Sequence, residues 1–134
     1  RDNALQYLTY NCSRFQAETL IYHAPAGTFL IRSPHPFSPF FILSYGEEKK
    51  VATGLDSEKE KKQFVVTHRI IEKTENGYVS GATYASLDAV LDAMKALHYG
   101  LRLDAEHNVI GCESMPWFNE RKVKEVRRGA SDAA

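Results

Sequence analysis

Arg32 is the residue whose placement asks for chemistry. It closes the run Gly27-Thr28-Phe29-Leu30-Ile31-Arg32, in which every other residue is small or apolar. Successive strand residues point to opposite faces, so Phe29 and Ile31 serve one layer while Leu30 and Arg32 share the other. A run that is apolar on both faces reads as a central strand covered on both sides, which starts the Arg32 side chain between the sheet and its cover. A guanidinium held there requires an anion. An internal carboxylate would supply it, since buried charges are usually paired. A ligand phosphate would also supply it, because a planar fork of donors suits phosphate oxygens.

The elements that must hold this arginine follow from local patterning. A short mixed strand is expected near Gln6 to Thr9. Ser13 then reads as an N-cap, with Gln16 completing a capping box. The helix it opens runs from Arg14 to about Tyr22, with Ala17, Leu20, Ile21 and Ala24 forming a stripe toward the sheet and Phe15 at its edge. After Arg32, the segment Ser33-Pro34-His35-Pro36-Phe37-Ser38-Pro39 is kept out of helix by its prolines. Phe40 to Tyr45 resumes as an apolar strand. Gln63 to Glu72 is a strand rich in β-branched residues, and Glu75-Asn76-Gly77 turns it into a short strand at Tyr78 to Ser80. Ser86 caps a second helix from Leu87 to about Leu97, whose face is Leu87, Val90, Leu91, Met94 and Leu97.

The run Gly27-Thr28-Phe29-Leu30-Ile31-Arg32, a short loop carrying hydroxyls, and then Phe41-Ile42-Leu43-Ser44 resembles the signature of Src homology 2 domains. The resemblance covers roughly residues 5 to 103. It implies an α+β fold, with a central antiparallel sheet flanked by two α-helices, and a binding module for phosphotyrosine in peptides or proteins. Arg32 would grip the phosphate from the pocket floor, and Arg14 would add a second positive charge. Ser33, Ser38 and loop N–H groups would take the remaining oxygens. Pro34 departs from the family by standing where a hydroxyl residue is common, and His35 would compensate.

Thr67-His68-Arg69-Ile70 falls where the family commonly has His-Tyr-Lys-Ile. By this resemblance Thr67 and Arg69 border the phosphotyrosine ring, and His68 points toward the following peptide residues. Tyr84, together with Tyr99 and Leu101 of the expected loop over 98–103, would shape the pocket for a downstream residue. A degenerate domain reading phosphoserine, phosphothreonine or an unphosphorylated partner is the alternative.

Composition narrows the class. The 134 residues are expected to form one core, and 17 Lys+Arg against 17 Asp+Glu leave no global basic field for nucleic acid or a membrane surface. Cys12 and Cys112 form no metal-ligand cluster and no disulfide framework, so both thiols are expected free in a reducing, cytoplasmic setting, with no cofactor or metal. No membrane insertion is expected, because no apolar run approaches a membrane span. Neither cysteine has an arginine at phosphate-loop spacing, and no phosphate-binding Lys-Ser/Thr loop or His-Glu-x-x-His helix occurs, so the expectation is a monomeric binder and not an enzyme.

Residues 46–62 are charged and read as a solvated hairpin extension or a mobile loop, whose lysines either add to the attraction for an anion or merely face solvent. The domain is expected over 1–104. Residues 105–134 form an extension with a basic helix from Pro116 to about Arg128, docked by Trp117 and Phe118. The opening residue is not Met, as expected of a segment cut from a longer chain.

Overall fold

The computed structural model describes residues 3–53 and 56–116. A short 3-10 turn at Asn3–Tyr7 leads into strand β1 (Leu8–Tyr10), and helix α1 (Arg14–Tyr22) follows. Strands β2 (Thr28–Ser33), β3 (Phe40–Thr53), β4 (Asp56–Thr74), β5 (Gly77–Ser80) and β6 (Ala82–Tyr84) then form an antiparallel meander. Helix α2 (Leu87–Ala93) precedes β7 (Tyr99–Leu103) and β8 (Val109–Ser114). The sheet order is β6-β5-β4-β3-β2-β7-β8, with β1 also on β2.

The protein is therefore α+β, but its sheet is mixed and not purely antiparallel. β1 and β7 both run parallel to β2, β7 pairing with Thr28 and Phe29 and β1 with Ile31 to Ser33. These two short strands share one edge of β2, and β3 takes the other. That arrangement is how a strand apolar on both faces satisfies its backbone groups without an exposed edge.

Alternation sorts the core into two layers. Phe29 and Ile31 join Leu43, Ile71 and the α2 residues Leu87, Val90 and Leu91 in one cluster. Leu30 joins Ala17 and Ile21 of α1, with Leu101 of β7, in the other. Helix α1 has the expected bounds and its capping box, with Ser13 and Gln16 each bonding the other's backbone N–H. Helix α2 is shorter than the apolar spacing predicted. It ends at Ala93, yet Leu97 is fully buried because a turn closed by the Leu97 N–H on the Met94 carbonyl carries it into the same core. Spacing identifies a buried face but not the backbone that delivers it.

The expected loop at 98–103 is instead, from Tyr99 on, the interior strand β7, flanked by β2 and β8. The hairpin reading of 46–62 is correct and the mobile-loop reading is not, since β3 and β4 stay paired from Phe40↔Glu72 out to Thr53↔Asp56. Beyond Gly46 this ribbon has no third strand among the described residues, because β2 ends its pairing at Tyr45. From Ile42, beside Arg32, to Lys50 the strand rises about 27 Å at about 3.4 Å per residue. That exceeds the screening length of about 8 Å in physiological salt. The described lysines of the arm thus lie too far away to strengthen an anion site at Arg32. The expected basic helix, with Trp117 and Phe118, lies outside the described residues.

Gly27 enables the entry to β2. Its φ is +90°, and a Cβ there would stand 2.6 Å from His98 Nδ1. Gly81 also has positive φ, +75°, but its nearest neighbour would be Arg69 Nη2 at 3.5 Å. Gly81→Ala carries only the backbone strain, about 1–3 kcal/mol. Gly27→Ala adds a clash within the core, so urea denaturation should show a clearly larger loss for Gly27→Ala.

Candidate functional site

The pairings Leu30↔Ser44 and Ser44↔His68 place one residue from each of β2, β3 and β4 on the face that α1 covers. Arg32 lies on this face, one alternation beyond Leu30, and is partly buried. Its Nε donates to Ser44 Oγ at 3.1 Å, and its Nη2 reaches His68 Nδ1 at 3.3 Å. Ser44, itself fully buried, lies 2.8 Å from the same ring nitrogen. These contacts are mutually consistent in one tautomer. Nδ1 is the unprotonated acceptor of both the Arg32 N–H and the Ser44 hydroxyl, and Nε2 carries the hydrogen. The Nε2–H then donates to Glu18 Oε2 at 3.2 Å. Glu18 in turn faces Arg14 Nε at 3.6 Å, one helical turn earlier on α1.

Arg32 thus ends a chain of polar contacts with neutral groups around it. Among the described residues, no carboxylate lies within ion-pair distance of its guanidinium, and its Nη1 has no hydrogen-bond partner. Burial lowers its pKa, with Arg14 acting in the same direction and Cys12 and Glu18 opposing. An arginine whose charge is disfavoured by its surroundings, and whose free donors face a cleft, is arranged to receive an anion. The cleft has a volume of about 380 Å³ and lies between Arg32 and Ile42 on one side and Cys12 and Ser13, at the head of α1, on the other. Burial raises the Cys12 thiol. Neither Cys12 nor Cys112 is in a disulfide.

No family model matches this chain, and no curated protein matches it.

The geometry brings Arg32, Arg14 and His68 together, keeps Ser33 in the wall of the cleft beside Arg32, and separates the other expected residues from them. Thr67 and Arg69 lie on the opposite face of β4. Thr67 donates to Glu47 Oε2 at 2.7 Å. Arg69 donates to Ser80 Oγ at 2.5 Å and to the Ser80 carbonyl at 2.9 Å, and its Nη1 reaches Met94 Sδ. The alternation along β4 was read correctly from the sequence, but the face toward the pocket is the one bearing His68. An offset of one residue exchanges every side chain between faces, and only pairing with β3 fixes that parity.

The loop after Arg32 is also turned inward. Ser33 Oγ donates to the Phe40 carbonyl at 2.8 Å, and Ser38 Oγ accepts the Phe40 N–H at 3.1 Å. His35 Nδ1 accepts the Phe37 N–H at 3.2 Å. Prolines at 34, 36 and 39 remove backbone donors, and the remaining polar groups close the loop on itself. Of the residues expected to shape a downstream pocket, Leu101 is buried in the α1 core, Tyr84 packs on the α2 core, and Tyr99 sits in strand β7 between β2 and β8. They do not form an open loop.

Sequence reasoning missed Glu18, Ser44, Cys12 and Ile42 as parts of the site. Glu18 carried a readable signal, its helical spacing from Arg14. Ser44 and Ile42 join the site through strand register, which the sequence does not state. Among the described residues no group of His, Cys, Asp and Glu is placed to hold a metal, and no helix is long and apolar enough to cross a membrane.

The His68 hydrogen bond is the largest influence lowering the Glu18 pKa, and it outweighs desolvation with the Arg14 charge adding to it. A depressed carboxylate stabilises the fold above its unfolded value of about 4.3, and that contribution is lost as pH falls through the lower folded value. The stability difference between wild type and Glu18→Gln should therefore persist at pH 5 and shrink at more acidic pH. Urea midpoints measured from pH 5 to pH 3 test this.

Proposed function

We propose that this chain is a phosphotyrosine-dependent peptide-binding module resembling Src homology 2 domains, acting as a monomer in a reducing, cytoplasmic setting. The observation that carries the reading is Arg32, a partly buried cation on a rigid central strand with no carboxylate partner among the described residues. A phosphate monoester brings nearly two negative charges and several acceptor oxygens to such a donor. Arg14 at the head of α1 supplies a second cation. The depth of Arg32 favours a phosphate carried on a tyrosine ring over the shorter phosphoserine.

The ring wall in this reading is apolar. Arg32↔Ile42↔Ile70 form one row across β2, β3 and β4, and Ile70 is 63% exposed despite its size. Arg69 is turned away and cannot lie over the ring. Binding and not catalysis is favoured because burial keeps Cys12, the thiol lining the cleft beside Arg32, in its poorly nucleophilic protonated form. The inward-turned loop hydroxyls favour the second reading, a degenerate domain that binds a partner without phosphate.

Fluorescence anisotropy with a mixed phosphotyrosyl peptide pool, its unphosphorylated counterpart and a phosphoseryl pool at low and high salt separates the two readings. Binding confined to the phosphotyrosyl pool and weakened by salt is expected. Arg32→Ala should cost about 2–5 kcal/mol of that affinity. Arg69→Ala should lower stability and leave affinity nearly unchanged. Equal binding to all pools would establish the phosphate-independent alternative.

A further inference from the structure

Glu18 is the only carboxylate, among the described residues, within ion-pair distance of the cations of the candidate site. Its Oε2 makes both contacts, to Arg14 Nε and to the His68 Nε2–H, while no contact is made by Oε1 among the described residues. The same carboxylate that completes the network therefore engages the second cation, and the ring N–H, that an anionic ligand would seek. Nothing holds it rigidly. Glu18 is 38% exposed and Arg14 71%, and exposed ion pairs of this kind contribute little. The carboxylate also has somewhere to go. It borders a groove of about 410 Å³ between α1 and β4, lined by Tyr22, His23, Phe64 and Val66.

We propose that Glu18 is a resident counter-anion of the phosphate site, an autoinhibitory contact that an incoming phosphate monoester displaces. The inference rests on the phosphate-binding reading of Arg32. With no ligand, Glu18 neutralises Arg14 and orients His68 so that Nδ1 accepts from Arg32. When phosphate arrives, Arg32 contributes its free Nη donors, and Arg14 and His68 exchange a carboxylate oxygen for a phosphate oxygen. The side chain then swings into the groove. The groups facing Glu18 are Arg14 on its own helix, His68 on β4, Arg32 on β2 at longer range, and Tyr22 and His23 along the groove. The net effect of Glu18 is to weaken binding, because each ligand must first undo two contacts.

Glu18→Gln tests this, since the amide oxygen still accepts the His68 N–H while the competing charge is removed. Phenyl phosphate and O-phosphotyrosine titrated by calorimetry at pH 7.5 should bind the variant about three- to tenfold more tightly than wild type. Arg32→Ala should abolish binding in either background. Equal or weaker binding to Glu18→Gln, with Arg32 still required, would make Glu18 a positioning residue for His68 and overturn the proposal. Binding that is absent from wild type and variant alike, or that survives Arg32→Ala, would overturn the phosphate reading itself and this inference with it.

A pH series supplies the readout that a positioning role would not move. The ratio of variant to wild-type affinity should hold from pH 7.5 to pH 5 and contract toward one only in more acidic solution than the ordinary carboxylate value of about 4.3, because His68 and Arg14 hold the Glu18 carboxyl lower. Ionisation of the ligand cancels in that ratio. A ratio that stays unchanged while carbon-13 NMR shows the Glu18 carboxyl taking up its proton, with both proteins folded by circular dichroism, would mean that charge competition is not the cause.

Discussion

Taking a guanidinium out of water is expensive, and the usual remedy is a carboxylate beside it. At Arg32 the neighbours within hydrogen-bond reach are a serine hydroxyl and a neutral imidazole nitrogen. These groups satisfy part of its donor fork and leave its charge uncompensated. The surrounding construction is rigid enough to maintain this. β2 is paired along both edges, Leu30 is locked under α1, and Ser44 is fully buried. The cation cannot relax toward solvent without disturbing the most buried strand of the protein. The other features of the site arrange themselves around that unmet demand.

The two faces of the sheet divide the work. The α2 face is closed by apolar packing, including the edge contact of Tyr7 and Phe29 with ring centroids 5.3 Å apart. Arg69 on this face is consumed by Ser80 and serves to tie β4 to β5. The α1 face is largely apolar beneath the helix, and its polar network lies at the end nearest the helix N-terminus. There Ser44, His68 and Arg32 form a strip in which each group orients the next. A polar network of this kind is costly when incomplete, so its open end is where a ligand gains most.

The β3–β4 arm stands apart from this site. Its two strands extend past the last pairing with β2, and it meets the domain through contacts such as Tyr22 against Phe64, with ring centroids 5.7 Å apart. The opposite end of the sheet carries β8, which widens the sheet past β7 and places Val109 and Ile110 near the surface. Both additions leave the strand bearing Arg32 untouched. Such extensions add backbone pairing without altering the packing of the two core layers.

The sequence alone was sufficient for features governed by neighbours along the chain. Ser13 and Gln16 made the start of α1 legible to the residue, because a capping box is a local exchange of hydrogen bonds. The alternation of β2 placed Leu30 and Arg32 on one face, because side-chain period in a strand is a property of the backbone itself. Tertiary structure decided everything that depends on which strand lies beside which. The Ser44↔His68 pairing brought His68 and not Arg69 to Arg32, a parity invisible until β4 has a partner. The same holds for Tyr99 to Leu103, whose few residues read as a loop until β2 and β8 supply hydrogen bonds on either side. The hydroxyls of Ser33 and Ser38 looked like phosphate ligands by type, yet the path of the loop gave them nearer backbone partners. Residue type states what a side chain is able to bond, and the register of distant strands determines what it meets.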